Sequence, residues 1–193
     1  FSSALSQTLS GLGVISGPVN EKKVVVFIKE TSFTSAPVAS FFDILPISET
    51  QLVKNLMEEG IEVIGREQVG AIVSEKTILN AIKGDLNSAR SIGLKTGADI
   101  VILGKAVSNL RGDEEKDGIK TVQANINVKV VSTLESSLIA AKTDFSTIKH
   151  EQALQAELEA FDIASKKLAD FLVSSFHRYW EKGVEAPVRK TPE

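Results

Sequence analysis

Residues 89–107 read ARSIGLKTGADIVILGKAV: a helix that stops at Gly97 and passes directly into a strand. Asp85 is placed to cap this helix, which runs through Thr96, and Gly97 supplies the left-handed stop. Residues 99–107 form the strand. Its continuous apolar run of Ile100, Val101, Ile102 and Leu103 is the pattern of a strand buried on both faces. A short helix–glycine–strand joint of this kind belongs to α/β architecture.

The same joint occurs upstream. Leu52, Val53, Leu56 and Met57 form an apolar helical stripe, Gly60 ends it, and residues 61–64 (IEVI) follow as a strand. Ser48 with Gln51 three places on, just after Pro46, reads as a capping box for that helix. Earlier still, residues 24–28 (VVVFI) predict another strand buried on both faces, and Pro37 and Pro46 make residues 30–46 a loop. Residues 69–83 predict one or two short helical turns using Ile72, Ile78, Leu79 and Ile82. Residues 1–20 read as a flexible lead-in, with a short helix over residues 4–9.

Downstream the period changes. After a polar turn at residues 111–118 (RGDEEKDG), Val122, Ala124, Ile126, Val128 and Val130 alternate with Thr121, Gln123, Asn125, Asn127 and Lys129. Strict alternation describes an antiparallel strand with one buried and one wetter face. Residues 138–145 supply its return strand, so a three-strand meander runs on from Asp99. From Glu151 to Glu181, Leu154, Leu158, Phe161, Ala164, Leu168, Phe171, Leu172, Ser175 and Tyr179 mark a helix of roughly 45 Å. Gly183 ends it and residues 184–193 form a flexible tail. The expected fold is α/β: a mixed sheet of about five strands flanked by helices, with the long C-terminal helix packed on it, in one domain over residues 21–183.

Composition narrows the function classes. The 193 residues are 42% hydrophobic and 24% charged, with a net charge of −3 that supplies no overall basic field for nucleic acid. The apolar runs are far too short to cross a bilayer. Phe at position 1 suggests a mature product or an excised piece. With no cysteine, disulfides and thiolate metal sites are absent, and the core has no covalent staple.

In order, these elements are strand, helix, strand ending in Arg66, short helices, A-x-x-I-G-x-x-x-G-A-D-I-V-I-L-G-K, two alternating strands and a long terminal helix. With Gly60-Ile61-Glu62-Val63-Ile64-Gly65-Arg66 and Gly97-Ala98-Asp99-Ile100-Val101-Ile102-Leu103-Gly104, the chain resembles the TolB-N-terminal-like α/β domain of bacterial envelope proteins over about residues 24–182. That family includes the curli secretion protein CsgG, the middle domain of the flagellar assembly protein FlgT, which it resembles most, and LpoB-type lipoproteins that activate penicillin-binding proteins. Relatives often carry an Asp and a Thr-Gly turn before the fifth strand; here the turn reads Ser132-Thr133-Leu134-Glu135-Ser136-Ser137. The resemblance implies a periplasmic or outer-membrane-associated place, envelope-assembly partners, possible oligomers and no enzymatic activity. A lipid anchor, if carried, belongs upstream of Phe1.

The residues themselves offer no catalytic, cofactor or metal constellation. His150 and His177 form no HExxH or comparable pairing and read as surface or helix-end histidines, and Asp113, Glu114, Glu115 and Asp117 lack calcium-loop spacing. Arg111-Gly112-Asp113 is a three-residue match at a turn. Gly11, Gly13 and Gly17 precede the first strand and lack the Lys-Ser/Thr ending of a phosphate loop. Two regions fit partner binding. One is the apolar loop with Phe33, Val38, Phe41, Phe42, Ile44 and Leu45, for which packing over the sheet is the alternative. The other is the helix end with Phe176, Arg178, Tyr179, Trp180 and Lys182, where core packing is equally open.

The expected function is therefore a non-enzymatic assembly module of an envelope apparatus, most readily a flagellar one. The alternatives are a curli-type secretion-channel subunit or accessory factor, and a cell-wall-synthase activator lipoprotein. A channel subunit would need spanning hairpins, which the polar turns disfavour. Small-molecule binding at a sheet-end pocket is a third reading.

Overall fold

The computed structural model describes residues 22–34, 41–42, 45–111 and 118–182. The expected helix over 4–9, the early glycines, Val38, Ile44, the acidic loop at 112–117 and the tail lie outside them.

The elements follow as β1 (Lys23–Thr31), α1 (Ile47–Glu58), β2 (Glu62–Ile64), α2 (Arg66–Gly70), α3 (Glu75–Lys83), α4 (Leu86–Thr96), β3 (Ile100–Arg111), β4 (Lys120–Ser132), β5 (Leu138–His150) and α5 (Ala153–Lys182). One sheet carries the order β2-β1-β3-β4-β5. β1 lies parallel to β2 and to β3, while β3, β4 and β5 are antiparallel neighbours. The mixed five-stranded sheet and its C-terminal helix thus match the sequence pattern, and the meander runs longer than expected, to Arg111 and His150.

Layering follows from the side-chain period. Val24, Val26 and Ile28 of β1, Ile100 and Ile102 of β3, and Ile126 and Val128 of β4 form one buried face. Leu52 and Leu56 of α1 and Phe161, Leu168, Leu172 and Phe176 of α5 pack on it. Val25, Phe27, Val101 and Leu103 point the other way, onto Val69, Val73, Ile78, Ile82 and Ile92 of the α2–α4 side. Helices therefore sit on both faces of the parallel part, the arrangement that burial of every β1 residue from Val24 to Ile28 demands.

Gly60 and Gly97 adopt φ +81° and +75°, so both helix–strand joints use the left-handed stop. Asp85 caps α4 by accepting the Asn87 N–H. Gly93 serves a different need: a Cβ there would collide with the Thr133 side chain, which instead donates to the Ala98 carbonyl at 2.7 Å. That contact ties the Ser132–Ser137 turn to the helix before β3.

The capping box expected at Ser48 and Gln51 does not form. α1 begins two residues earlier, at Ile47 behind Pro46, without a side-chain cap from its own segment. Glu30, at the end of β1, accepts the Ile47 and Ser48 N–H groups at 3.2 and 2.7 Å. A carboxylate from a distant strand thus occupies the positive end of the helix and displaces the local serine. Residues 69–83 resolve into α2 and α3 around Ser74, which caps α3 by accepting the Thr77 N–H. Ile72, Met57 and Leu154, expected in apolar stripes, are exposed.

Charged groups sit at both sheet edges. β2 spans only three residues, and past its end the Ile28 N–H of β1 donates to Glu49 at 2.7 Å. On β5, the Phe145 N–H donates to Asp144 and its carbonyl accepts from Lys167 of α5. A register shift between Val130 and Val131 adds a bulge where β5 begins. Both devices discourage addition of a further strand.

Candidate functional site

The two aromatic regions have opposite characters. In the first, the rings close around Arg66. Its guanidinium carbon lies 4.0 Å from the Phe41 ring centre, 5.7 Å from that of Phe42 and 5.9 Å from that of Phe27. One guanidinium nitrogen bonds the Glu49 carboxylate at 2.5 Å, and the other donates to the Phe41 carbonyl at 2.5 Å. The Phe41 N–H donates to Glu75 at 3.0 Å. Arg66 and Glu49 are both buried side chains, 8% and 2% exposed. Burial pushes the Glu49 carboxyl above its ordinary value of 4.5, against the pull of Arg66 and of the Ile28 N–H. Phe41 and Phe42, half-buried, thus shelter an ion pair that holds α1, β1 and the start of α2 together.

Two further residues of this loop face water. Phe33 is exposed, although its N–H is held by the Ser108 hydroxyl at 3.1 Å, and Leu45 is 55% exposed. The Ser108 hydroxyl and that of Thr34 both donate to Glu157, a fully buried carboxylate on α5. Glu157 sits four residues before Phe161 on the buried stripe of α5, a charge inside an apolar period that sequence reasoning passed over. Glu49 was masked differently, as one charge in an ordinary first helical turn.

The second region opens outward. Phe176 is fully buried and stacks obliquely on Trp180 at 5.4 Å, so it serves the core beneath the helix end. Tyr179 and Trp180 are half-buried, and Arg178 is exposed, bonding the Ser174 carbonyl and Ser175 hydroxyl of its own helix. The Tyr179 hydroxyl bonds Ser132 at 2.6 Å, which fixes the helix end to the β4–β5 turn. Burial raises the Tyr179 phenol above its usual value, the Ser132 bond working against it.

Beside this helix end lies a groove of about 1350 Å³. Leu94 of α4, Leu134 of the turn, Leu138 of β5, and Phe171, Tyr179 and Trp180 of α5 give it an apolar floor and rim. Leu134 is 85% exposed and Leu94 64%, an unusual concentration of wet leucines for one end of a small domain. Asp99, the aspartate of the G-A-D motif, lies at the rim with its carboxylate committed to the Lys23 N–H and the Lys22 ammonium. Sequence reasoning found Tyr179, Trp180 and Arg178 and missed the leucines, since three elements must meet before those become one surface. Among the described residues no cluster of three or more His, Asp or Glu is placed to hold a metal. His150 accepts the Gln152 N–H, and His177 is exposed at the groove.

A five-stranded mixed sheet with helices on both sides and an apolar groove at one end defines a class of α/β domain. Within it the chain belongs to the family of TP0693-like lipoprotein C-terminal domains, which it matches over residues 23–173. The fold is that of hypothetical protein CT253 from Chlamydia trachomatis, with 11% identity over 82% of this chain and 98% of that one, at a TM-score of 0.52. Also similar are lipoprotein GNA1162 from Neisseria meningitidis, 11% identical over 81% of this chain and 99% of that one at a TM-score of 0.43, and the LpoB C-terminal domain from Salmonella enterica, 13% identical over 77% and 93% at 0.34. No curated protein matches.

Family membership makes this a bacterial lipoprotein domain, associated with the cell envelope. Among the described residues no helix is long and apolar enough to cross a membrane. The flagellar and curli assignments expected from the sequence gain no support from these findings.

Proposed function

We propose that this domain is a non-enzymatic interaction module of an envelope lipoprotein, which acts by seating a partner protein in the groove at the end of α5. One observation carries the reading: exposed Leu94, Leu134 and Leu138 surround half-buried Tyr179 and Trp180 with Arg178 beside them. Apolar area rimmed by polar groups, with Trp, Tyr and Arg at its centre, is the composition of an interface anchor. The anchors stand on a helix and a sheet, so little ordering is needed on capture. The family's lipoprotein character supports a periplasmic site of action close to a membrane.

Photo-crosslinking amino acids placed at Leu134 and Leu138 test this in the native envelope. Leu154 is the control, a leucine as wet as Leu138 and on α5 roughly 35 Å from the groove end of that helix. Adducts to one defined envelope protein from the two groove positions, reduced by Trp180→Ala and absent at Leu154, are expected. Equal labelling at all three positions would remove the groove from consideration.

A further inference from the structure

Among the described residues, the sheet face opposite α5 is roofed over only part of its area. Helices α2–α4 pack on Val25, Phe27, Val101, Leu103 and Val131. Beyond those residues no described helix covers it, and the period-2 rule carries the same face out along β1, β3, β4 and β5. The register then fixes what stands there. Lys29 lies beside Lys105, followed by Asn127 and Thr143, in one row across four strands. The next row is Thr31, Val107, Asn125 and Phe145. Asn109, Gln123 and Thr147 form a third, while Lys129, opposite Leu103 in the row before, stands against Gly84 at the end of α3.

Lys29, Lys105 and Lys129 are exposed, and no carboxylate stands in these rows. None of the ion pairs among the described residues involves these three lysines. This is unexpected in a chain whose net charge is −3. Like charges on neighbouring strands destabilise a sheet. Lysines often guard sheet edges against strand addition, which fits Lys29 past the end of β2, but not Lys105, whose strand is paired on both sides. The rest of the face is amide and hydroxyl, partly preorganised: Asn127 donates to Thr143 at 2.6 Å and Arg111 to Gln123. One ring, Phe145, stands out of this polar ground at 56% exposure.

We propose that this face binds a carboxylated glycan strand. The lysines receive the carboxylates, the Asn, Gln and Thr rows at a strand spacing of about 4.8 Å bond ring hydroxyls, and Phe145 stacks on a sugar face. A membrane-docking face would present a broad apolar side, whereas only Phe145 and Val107 project here. A single-stranded nucleic acid would call for several stacking rings.

Titration with hexagalacturonate tests the site, against fully methyl-esterified hexagalacturonate, neutral maltohexaose, and vesicles of equal phosphatidylglycerol and phosphatidylcholine. Hexagalacturonate is expected to bind with an affinity that falls as salt rises. The Lys29→Gln/Lys105→Gln variant should weaken binding about 10-fold and Phe145→Ser several-fold, while Trp180→Ala leaves it unchanged. The methyl ester and maltohexaose should bind at least 10-fold more weakly, a comparison that needs no variant. The double lysine variant should unfold no earlier than the parent protein, because a like-charge pair is relieved. Equal affinity for the methyl ester, undiminished binding by the lysine variant, absence of hexagalacturonate binding, or binding to the vesicles alone would each overturn the proposal.

Discussion

Two clusters of aromatic residues beside an arginine behave differently in this molecule. Around Arg66, Phe41 and Phe42 close over a guanidinium already committed to Glu49 and to a main-chain carbonyl. Around Arg178, Tyr179 and Trp180 stand at a groove, and among the described residues the guanidinium bonds only its own helix. The residue types are nearly the same. What differs is whether the arginine finds a buried carboxylate, because a paired and desolvated charge draws rings inward, while an unpaired one keeps its surroundings wet. Aromatic–arginine composition therefore marks a candidate interface only after the partners of the arginine are known.

The contrast can be broken most directly at Arg66. Arg66→Ala leaves Glu49 as a buried charge without its partner, and a loss of about 3–5 kcal/mol is expected in urea unfolding. Stability unchanged within about 1 kcal/mol would mean that the Phe41 cluster is not structural and that the two regions are alike. A smaller effect sharpens the other side. Tyr179→Phe removes the bond to Ser132 and should cost about 0.5–1.5 kcal/mol, with crosslinking through Leu134 preserved. A larger loss would make the helix end a core element rather than a docking surface.

The smallest signal is a slope with pH. Because burial raises the folded-state pKa of Glu49 above 4.5, the folded protein holds that proton more tightly than the unfolded chain. The contribution of this group is then fully present below pH 4.5 and is lost as pH rises through the raised folded value. The stability difference between the parent protein and Glu49→Gln, followed by chemical unfolding from pH 4 upward, should shift against the parent. A difference that is flat, or that moves the other way, would show that Arg66 outweighs desolvation.

Much of the fold was legible in local patterns. The stops at Gly60 and Gly97, the Asp85 cap, the alternation from Val122 to Val130 and the long α5 each depend on neighbours within a few residues, and each formed. The candidate site was legible in part. Tyr179 and Trp180 stood out by composition, whereas Leu94, Leu134 and Leu138 looked like unrelated leucines on three elements. The capping box at Ser48 failed for a related reason: a serine three places from a glutamine is a local offer, and the Glu30 carboxylate from β1 made a stronger one.

The order of strands and helices, the parallel-then-antiparallel change of sheet and the length of the closing helix were determined by the sequence alone, because helix stops and hydrophobic periods act between residues close along the chain. Only the tertiary structure decided which carboxylate would be buried against Arg66, which leucines would share a groove, and that Lys29 and Lys105 would stand side by side on one sheet face. Those outcomes depend on register and desolvation between residues 17 to 76 positions apart, a range over which the linear pattern carries no direct signal.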